Sequence, residues 1–339
     1  MTSKKKVCIL YTGGTIGMVP TEFGYAPKKD YFHTLLSQFH QMRNPALPDW
    51  DVIEFDPLLD SSNIAVQEWN NIGKTIAEHY EEYDGFVVLH GTDTMSYTAS
   101  ALSFMLEGLN KPVIFTGAQI PLCELRSDGR DNLINSIIIA GEGHVREVCV
   151  YFGNKLLRAN RSTKIASKDL HAFDSPDYLP LAEVRIDICY NESAMALPSR
   201  PKTFHFTELQ SFPIGVLKLF PGFQFELFEG MINSNLKAVV LEAFGSGNIP
   251  TNNRALVEGI RKSAENGTII TVTSQCHRGG TTLGTYATSN DLVESGAISA
   301  SDMTTEAAIA KLYYLFSCGY DTDRVKLLME TNLRGEMNE

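Results

Sequence analysis

Two threonines in this chain stand directly behind glycines at the ends of apolar runs. Thr15 closes Val7-Cys8-Ile9-Leu10-Tyr11-Thr12-Gly13-Gly14, and Thr92 closes Phe86-Val87-Val88-Leu89-His90-Gly91. Asp93 follows the second threonine, Tyr25 lies shortly after the first, and Lys164 sits in a basic stretch further on. An acyl-transfer site needs a nucleophile, a group to accept its proton, and donors where an oxyanion forms. Hydroxyl, carboxylate, phenol and amine together contain those parts. A threonine hydroxyl is a weak nucleophile in water, so each requires a base: Tyr25 could serve Thr15, and a partly desolvated Lys164 could serve Thr92.

Residue types alone leave plainer readings standing. Gly13-Gly14 also suits a tight strand-to-helix turn, and Gly91-Thr92-Asp93-Thr94 suits a helix cap that bonds first-turn amides. Lys164 fits equally well as a solvated surface lysine. The glycine pair carries neither G-x-x-x-x-G-K-[ST] nor G-x-G-x-x-G, so it does not read as a nucleotide loop. His90, His171 and His277 lack metal-ligand spacing, and neither metal nor cofactor is expected.

The elements before the two threonines are what must position them. Both apolar runs lack polar alternation, which predicts strands of a parallel sheet buried on both faces. Open α/β sheets bind ligands beyond the carboxyl ends of their strands. In one parallel sheet both loops emerge on the same rim, so Thr15 and Thr92 converge despite their separation in sequence.

Composition sets the frame. The chain has 339 residues, 43% hydrophobic and 20% charged, as in ordinary globular proteins with room for two domains. A net charge of −11 argues against nucleic acid or an anionic membrane as the main partner. Cys8, Cys123, Cys149, Cys189, Cys276 and Cys318 are scattered without a C-x-x-C pair, which predicts free thiols in a reducing compartment. The basic start is followed only by Val7–Leu10 before polar residues, too short for a secretion core, and no run reaches membrane-span length. Cytoplasmic localisation is expected.

Along the chain, Met18–Asp30 reads as a polar loop of the length used for lids. A helix is predicted over Tyr31–Met42, a strand over Trp50–Phe55, a polar exit at Asp60-Ser61-Ser62-Asn63, and a helix over Val66–Tyr83. Strand and helix then alternate through Phe86–Leu89, Met95–Leu109, Lys111–Thr116, Asp128–Ala140 and Val148–Phe152. Asn154–Lys168 is polar and basic and predicts strand or hairpin structure near the rim. The second half repeats the rhythm with strands at Ile214–Phe220, Ala238–Leu241 and Thr268–Val272. Helices are predicted near Phe223–Ile232, Asn253–Glu265 and Asp302–Phe316. The expected fold is α/β, a larger N-terminal parallel-sheet domain (1–190) and a smaller C-terminal flavodoxin-like domain (213–339), joined by a linker (191–212).

Tyr11-Thr12-Gly13-Gly14-Thr15-Ile16-Gly17 together with Leu89-His90-Gly91-Thr92-Asp93-Thr94-Met95 resembles the paired signatures of bacterial L-asparaginases. Further matches are Asp60-Ser61-Ser62, Thr116-Gly117-Ala118-Gln119, Leu125-Arg126-Ser127-Asp128-Gly129 and Asn160-Arg161-Ser162-Thr163-Lys164. Asp-Ser-Ser in place of Gly-Ser-Gln makes the chain similar to the cytoplasmic type I branch.

The resemblance implies hydrolysis of L-asparagine to L-aspartate and ammonia through a threonine nucleophile and a β-aspartyl acyl-enzyme. Thr15 matches the attacking hydroxyl and Tyr25 the lid tyrosine that supports it. Thr92, Asp93 and Lys164 match a second triad. Asp93 and Thr92 would also contact the substrate, Asp93 through its α-ammonium. Asp60, Ser61 and Ser62 would hold the α-carboxylate end. Which threonine attacks first does not follow from the sequence. A homo-oligomer, dimer or homotetramer, is implied. Some type I relatives carry a second asparagine site, and Thr163 and Ser274-Gln275-Cys276 match segments used there. Glu242 stands where those relatives have an arginine, and its carboxylate would repel the effector's own.

Two other functions fit parts of the pattern. The amidase component of a tRNA-dependent amidotransferase shares the catalytic domain but carries an additional N-terminal domain, whereas here the first motif begins within the first dozen residues. A non-catalytic amino-acid sensor with ligands at the strand ends would not need both threonine motifs and Lys164.

Overall fold

The computed structural model describes residues 4–195, 203–228, 236–284 and 287–338. They fall into two compact units, Met1–Glu208 and Leu209–Glu339. In chain order the first begins with β1 (Lys6–Gly13), a hairpin of β2 (Met18–Thr21) and β3 (Gly24–Pro27), α1 (Phe32–Ser37) and β4 (Asp49–Leu59). Next come α2 (Val66–Glu78), β5 (Gly85–Leu89), α3 (Met95–Met105), β6 (Leu106–Glu107), β7 (Val113–Thr116) and α4 (Gly129–Glu142). It continues with β8 (Val148–Phe152), β9 (Lys155–Arg158), β10 (Thr163–Lys164) and β11 (Phe173–Asp174). Short strands β12 (Ala182–Val184), β13 (Ile188–Tyr190) and β14 (His205–Phe206) complete it.

Eight of these strands form one sheet in the order β13-β12-β9-β8-β7-β5-β1-β4. Neighbours from β4 through β8 are parallel. β5 and β8 are buried along their whole length, which is why their sequences are apolar without alternation. A two-residue turn with positive φ at Gly153 (55°) and Asn154 (69°) reverses the chain, and the pairings beyond β8 are antiparallel. β4 is the outer strand, and Asp49, Asp51, Glu54 and Asp56 along it guard the open edge against pairing with another chain. Helix α2 buries Trp69, Ile72 and Ile76 at helical spacing, and the Glu68 carboxylate accepts the Ala65 N–H at its start.

In the first unit local structure departs from the sequence expectations in two places. Met18–Asp30 is not a simple loop, because β2 and β3 pair across it from Met18↔Pro27 to Thr21↔Gly24. The helix predicted over Tyr31–Met42 breaks at Phe39, which adopts an extended conformation and leaves only a 3-10 turn at His40–Arg43. Within 191–212, residues 196–202 lie outside the described residues. Beyond them β14 pairs with β6, and the Phe204 ring stacks on Tyr80 at 3.7 Å.

The second unit holds β15 (Ile214–Lys218), β16 (Ala238–Ala243), α5 (Arg254–Glu265), β17 (Ile269–Ser274), α6 (Ala287–Glu294), β18 (Ile298–Ser299), α7 (Thr305–Ser317) and α8 (Thr322–Met329). Its four strands form a parallel sheet in sequence order around Leu241, Leu256 and Val272. Asn253, Thr304 and Asp321 cap α5, α7 and α8 by accepting first-turn amides. Part of the helix predicted over Phe223–Ile232 lies outside the described residues; what is described there is a 3-10 turn at Phe225–Leu227. β18 and α8 were not anticipated, since a two-residue strand and an eight-residue helix carry too little periodicity to register.

The chain end is locked by a buried ion pair. Lys311 of α7 and Glu336 are both inaccessible, 2.6 Å apart, and the ammonium also donates to the Thr331 carbonyl at 2.6 Å. Glu336 in turn accepts the Leu333 and Arg334 amides. Burial pulls the Lys311 pKa down against the opposing pull of Glu336. Removing one partner strands the other charge, so Lys311→Met is expected to destabilise the protein by about 3–5 kcal/mol, read as a lower urea midpoint.

Candidate active site

Four neighbouring strand ends of the first unit build the site: those of β4, β1, β5 and β7. The chain leaves them through Asp60, Gly13-Gly14, His90-Gly91 and Gly117. Gly14 has φ +83°, and a Cβ placed there would sit 2.5 Å from the Gly91 amide nitrogen. A Cβ on Gly91 would overlap the Ser61 hydroxyl. The β1 exit is therefore packed backbone to backbone against Gly91 on one side and, through Gly13, against Leu59 on the other, while the Ser61 side chain sits on Gly91, at separations that further side chains would forbid. Thr94 Oγ1 donates to the Ser61 carbonyl at 2.7 Å and ties the third contact.

Thr15 and Thr92 each follow one of the two touching glycines. Thr15 opens a 3-10 turn over Thr15–Gly17, is partly exposed, and its hydroxyl has no hydrogen bond among the described residues. Thr12, the other hydroxyl of that loop, is buried and committed, donating to the Leu89 carbonyl at 2.8 Å. Thr92 is also buried, and Lys164 reaches it from far along the chain. Lys164 Nζ donates to Thr92 Oγ1 at 2.8 Å and to Asp93 Oδ1 at 2.7 Å.

Lys164 arrives by a route along α3. The Ser100 hydroxyl donates to the Ala159 carbonyl at 3.4 Å, and the Ser96 and Ser162 hydroxyls lie 3.5 Å apart. Small side chains on that helix face let residues 159–162 lie against it as the chain climbs toward the helix start. The climb begins at a buried pair, Arg158 Nε donating to Glu147 Oε2 at 2.6 Å. The Arg158 and Arg161 guanidinium groups both lie over the Tyr178 ring, at 4.6 and 5.0 Å.

Other anticipated residues fall around this centre. Tyr25, half exposed on β3, donates to Glu124 Oε1 at 2.6 Å, and that bond raises the phenol pKa. Asp60 is an N-cap, its carboxylate accepting the Ser62 amide at 3.0 Å, while the Ser61 side chain is buried against Gly91. In the second unit the Glu242 carboxylate accepts from Thr305 at 2.9 Å and lies 3.3 Å from Lys218. The Gln275 amide donates to the Leu219 and Glu242 carbonyls, and Ser274 Oγ accepts the Cys276 amide. Thr163 pairs with Asp174 in the β10–β11 ladder.

Two residues were given no role by sequence reasoning. The Thr92 hydroxyl donates to Gln119 Oε1 at 3.3 Å, and Gln119 stands at the exit of β7, next to β5. Its signal was available: a strand–glycine exit neighbouring another in a parallel sheet opens on the same rim. His90 is fully buried, its Nδ1 2.7 Å from the Gly91 carbonyl, and Nε2 has no partner among the described residues. Among the described residues no cluster of histidine, cysteine and acidic side chains is able to hold a metal. None of their helices is long and apolar enough to cross a membrane.

The fold and the rim define a two-domain α/β protein with two threonine hydroxyls, a lysine and an aspartate gathered beyond the ends of its parallel strands. Residues 6–196 match the family described as Asparaginase, N-terminal, and 213–329 match the Glutaminase/Asparaginase C-terminal domain. The chain belongs to the asparaginase family. It is 42% identical over 334 residues to L-asparaginase 1 of Escherichia coli (strain K12), covering 98% of each chain. The crystal structure of L-asparaginase I from Vibrio cholerae O1 biovar eltor superposes with TM-score 0.92 at 40% identity, over 99% of this chain and 100% of that one. The thermostable L-asparaginase from Thermococcus kodakarensis gives TM-score 0.89 at 31% identity, covering 98% and 99%.

Burial pulls the His90 pKa down to about 4, with the Gly91 bond opposing. Unfolded, the imidazole titrates near ~6.5. Between those values the unfolded chain binds the extra proton, so stability falls as pH drops from 6.5 toward 4. The loss at the acid end amounts to about 3 kcal/mol. Urea unfolding across that window should show His90→Leu with a flatter acid limb than the parent; parallel limbs would remove His90 as the cause.

Proposed function

We propose that this chain hydrolyses L-asparagine to L-aspartate and ammonia through an ester on a threonine. The carrying observation is the pair of bonds from Lys164 to Thr92 and Asp93, which unites residues 72 and 71 positions apart on the rim beside the Thr15 loop. The lysine side chain is 20% exposed, against 46% and 60% for the surface lysines Lys4 and Lys5, and is fixed between a hydroxyl and a carboxylate.

In this reading Thr15 attacks first, because its hydroxyl is uncommitted while that of Thr92 is engaged on both sides. Thr15 Oγ1 bonds to the side-chain amide carbon, the C–N bond breaks, and nitrogen leaves as ammonia with the threonine proton. Water then cleaves the β-aspartyl ester, releasing aspartate and restoring the hydroxyl. The Tyr25 hydroxyl donates its hydrogen bond to Glu124, so its oxygen lone pairs are left to accept on the hairpin. Asp93 is 67% exposed beyond its bond to Lys164 and keeps lone pairs for the substrate α-ammonium. Asp60, Ser61 and Ser62 take the α-carboxylate end, with Ser61 fixed against Gly91. The same reading makes the enzyme a cytoplasmic homo-oligomer, a dimer or a dimer of dimers, on the strength of its type I motifs.

Ammonia release should saturate with asparagine and be slower with glutamine at equal concentration. Thr15→Ala is expected to fold and to lose at least about 10³-fold in kcat. Lys164→Met should lose about 10²-fold or more with its thermal transition kept. A folded chain releasing ammonia from neither amide would overturn the reading, and near-parent turnover by Thr15→Ala would remove that residue from it.

A further inference from the structure

We propose that Gln119 is a positioning residue that fixes the direction of the Thr92 hydroxyl proton. The inference rests on the reading that Thr92 takes part in amide hydrolysis.

A glutamine amide is two-faced, and which face meets Thr92 decides what that hydroxyl does. Here the choice is forced from outside. Gln119 Nε2 lies 3.1 Å from the Asp169 main-chain carbonyl, which only accepts. The amide nitrogen must face it, so Oε1 must face Thr92, where it lies at 3.3 Å. At the other end Lys164 holds an acceptor-only carboxylate, Asp93, and donates a second proton to Thr92 Oγ1. The row Asp93, Lys164, Thr92, Gln119, Asp169 is then a chain of hydrogen bonds with one possible polarity. Thr92 accepts from the lysine, donates to the glutamine, and keeps one lone pair for whatever enters the site.

Gln119 is itself held in place. Its main-chain N–H donates to both Asp128 oxygens, at 3.1 and 3.0 Å. Asp128 also accepts the Ile120 amide at 2.9 Å and the Asn132 side-chain amide at 3.2 Å. One carboxylate at the start of α4 thus pins the loop that carries the glutamine. Without the Oε1 acceptor, the Thr92 proton is free to rotate toward the substrate and to occupy the lone-pair direction a reacting group needs. The cost then falls on turnover more than on substrate binding.

The test compares Gln119→Met, Gln119→Glu and Thr92→Val, each checked for folding by circular dichroism and thermal unfolding. Gln119→Met keeps the length and removes both bonds; kcat should fall about ten-fold with KM within about two-fold. Gln119→Glu, when ionised, loses the donor to the Asp169 carbonyl but still presents an acceptor to Thr92. It should therefore recover kcat to within about three-fold of the parent, a rescue over Gln119→Met that packing alone would not produce. Thr92→Val silent with Gln119→Met at parent kcat, or Gln119→Glu no better than Gln119→Met, would overturn the proposal and leave the site reading intact. Turnover surviving in Thr92→Val would overturn both.

Discussion

Everything at the rim depends on how closely three backbones approach one another. The ends of β4, β1 and β5 lie side by side in a parallel sheet, and the chain must leave all three in the same direction. Strands in a sheet sit about 4.8 Å apart. Exits carrying side chains would have to splay at once, and the hydroxyls after them would diverge. Gly14 and Gly91 remove that obstacle, so Thr15 and Thr92 begin from backbone already in contact. Without that approach the lysine's long route along α3 would deliver its charge to a hydroxyl standing alone.

The hydroxyls on these strands are sorted by their partners. Thr12 and Thr116 end β1 and β7 region runs and donate to carbonyls of neighbouring strands, Leu89 and Tyr151, each at 2.8 Å. They strap the sheet together and have no proton to spare. Thr92 is held between a donor and an acceptor. Thr15 is left open. The same residue type thus serves as strap, as polarised member of a row, and as free hydroxyl, and only the surroundings distinguish them.

Much of this was legible in the sequence because parallel strands announce themselves. Apolar runs ending in glycine place their successors on one rim by topology alone, and so Thr15, Thr92 and Asp93 could be grouped before any coordinates. Lys164 could not be grouped that way. Its position depends on Ser96 and Ser100 giving room along α3 to Ser162 and Ala159, 66 and 59 residues away, and on two arginines over one tyrosine ring, contacts that leave no period. Tyr25 was placed on a loop, whereas the β2–β3 pairing that carries it joins strands too short and too polar to register. The Glu124 partner of Tyr25 was invisible because a hydrogen bond between loops has no sequence signature, whereas the glycine exit ahead of Gln119 did place that residue on the rim, though not its bond to Thr92.

Charge is rationed at the site in a way that follows from burial. His90 sits directly before Gly91, and an imidazolium there would place a second cation behind the glycine contact. Complete burial with one backbone partner keeps the ring neutral at physiological pH. Lys164 and Asp93 are therefore the ionic pair that meets Thr92, and Asp93 lies at the solvent side, where hydration offsets part of the cost of charge. The acid-sensitive group is in the core and the ion pair is at the rim.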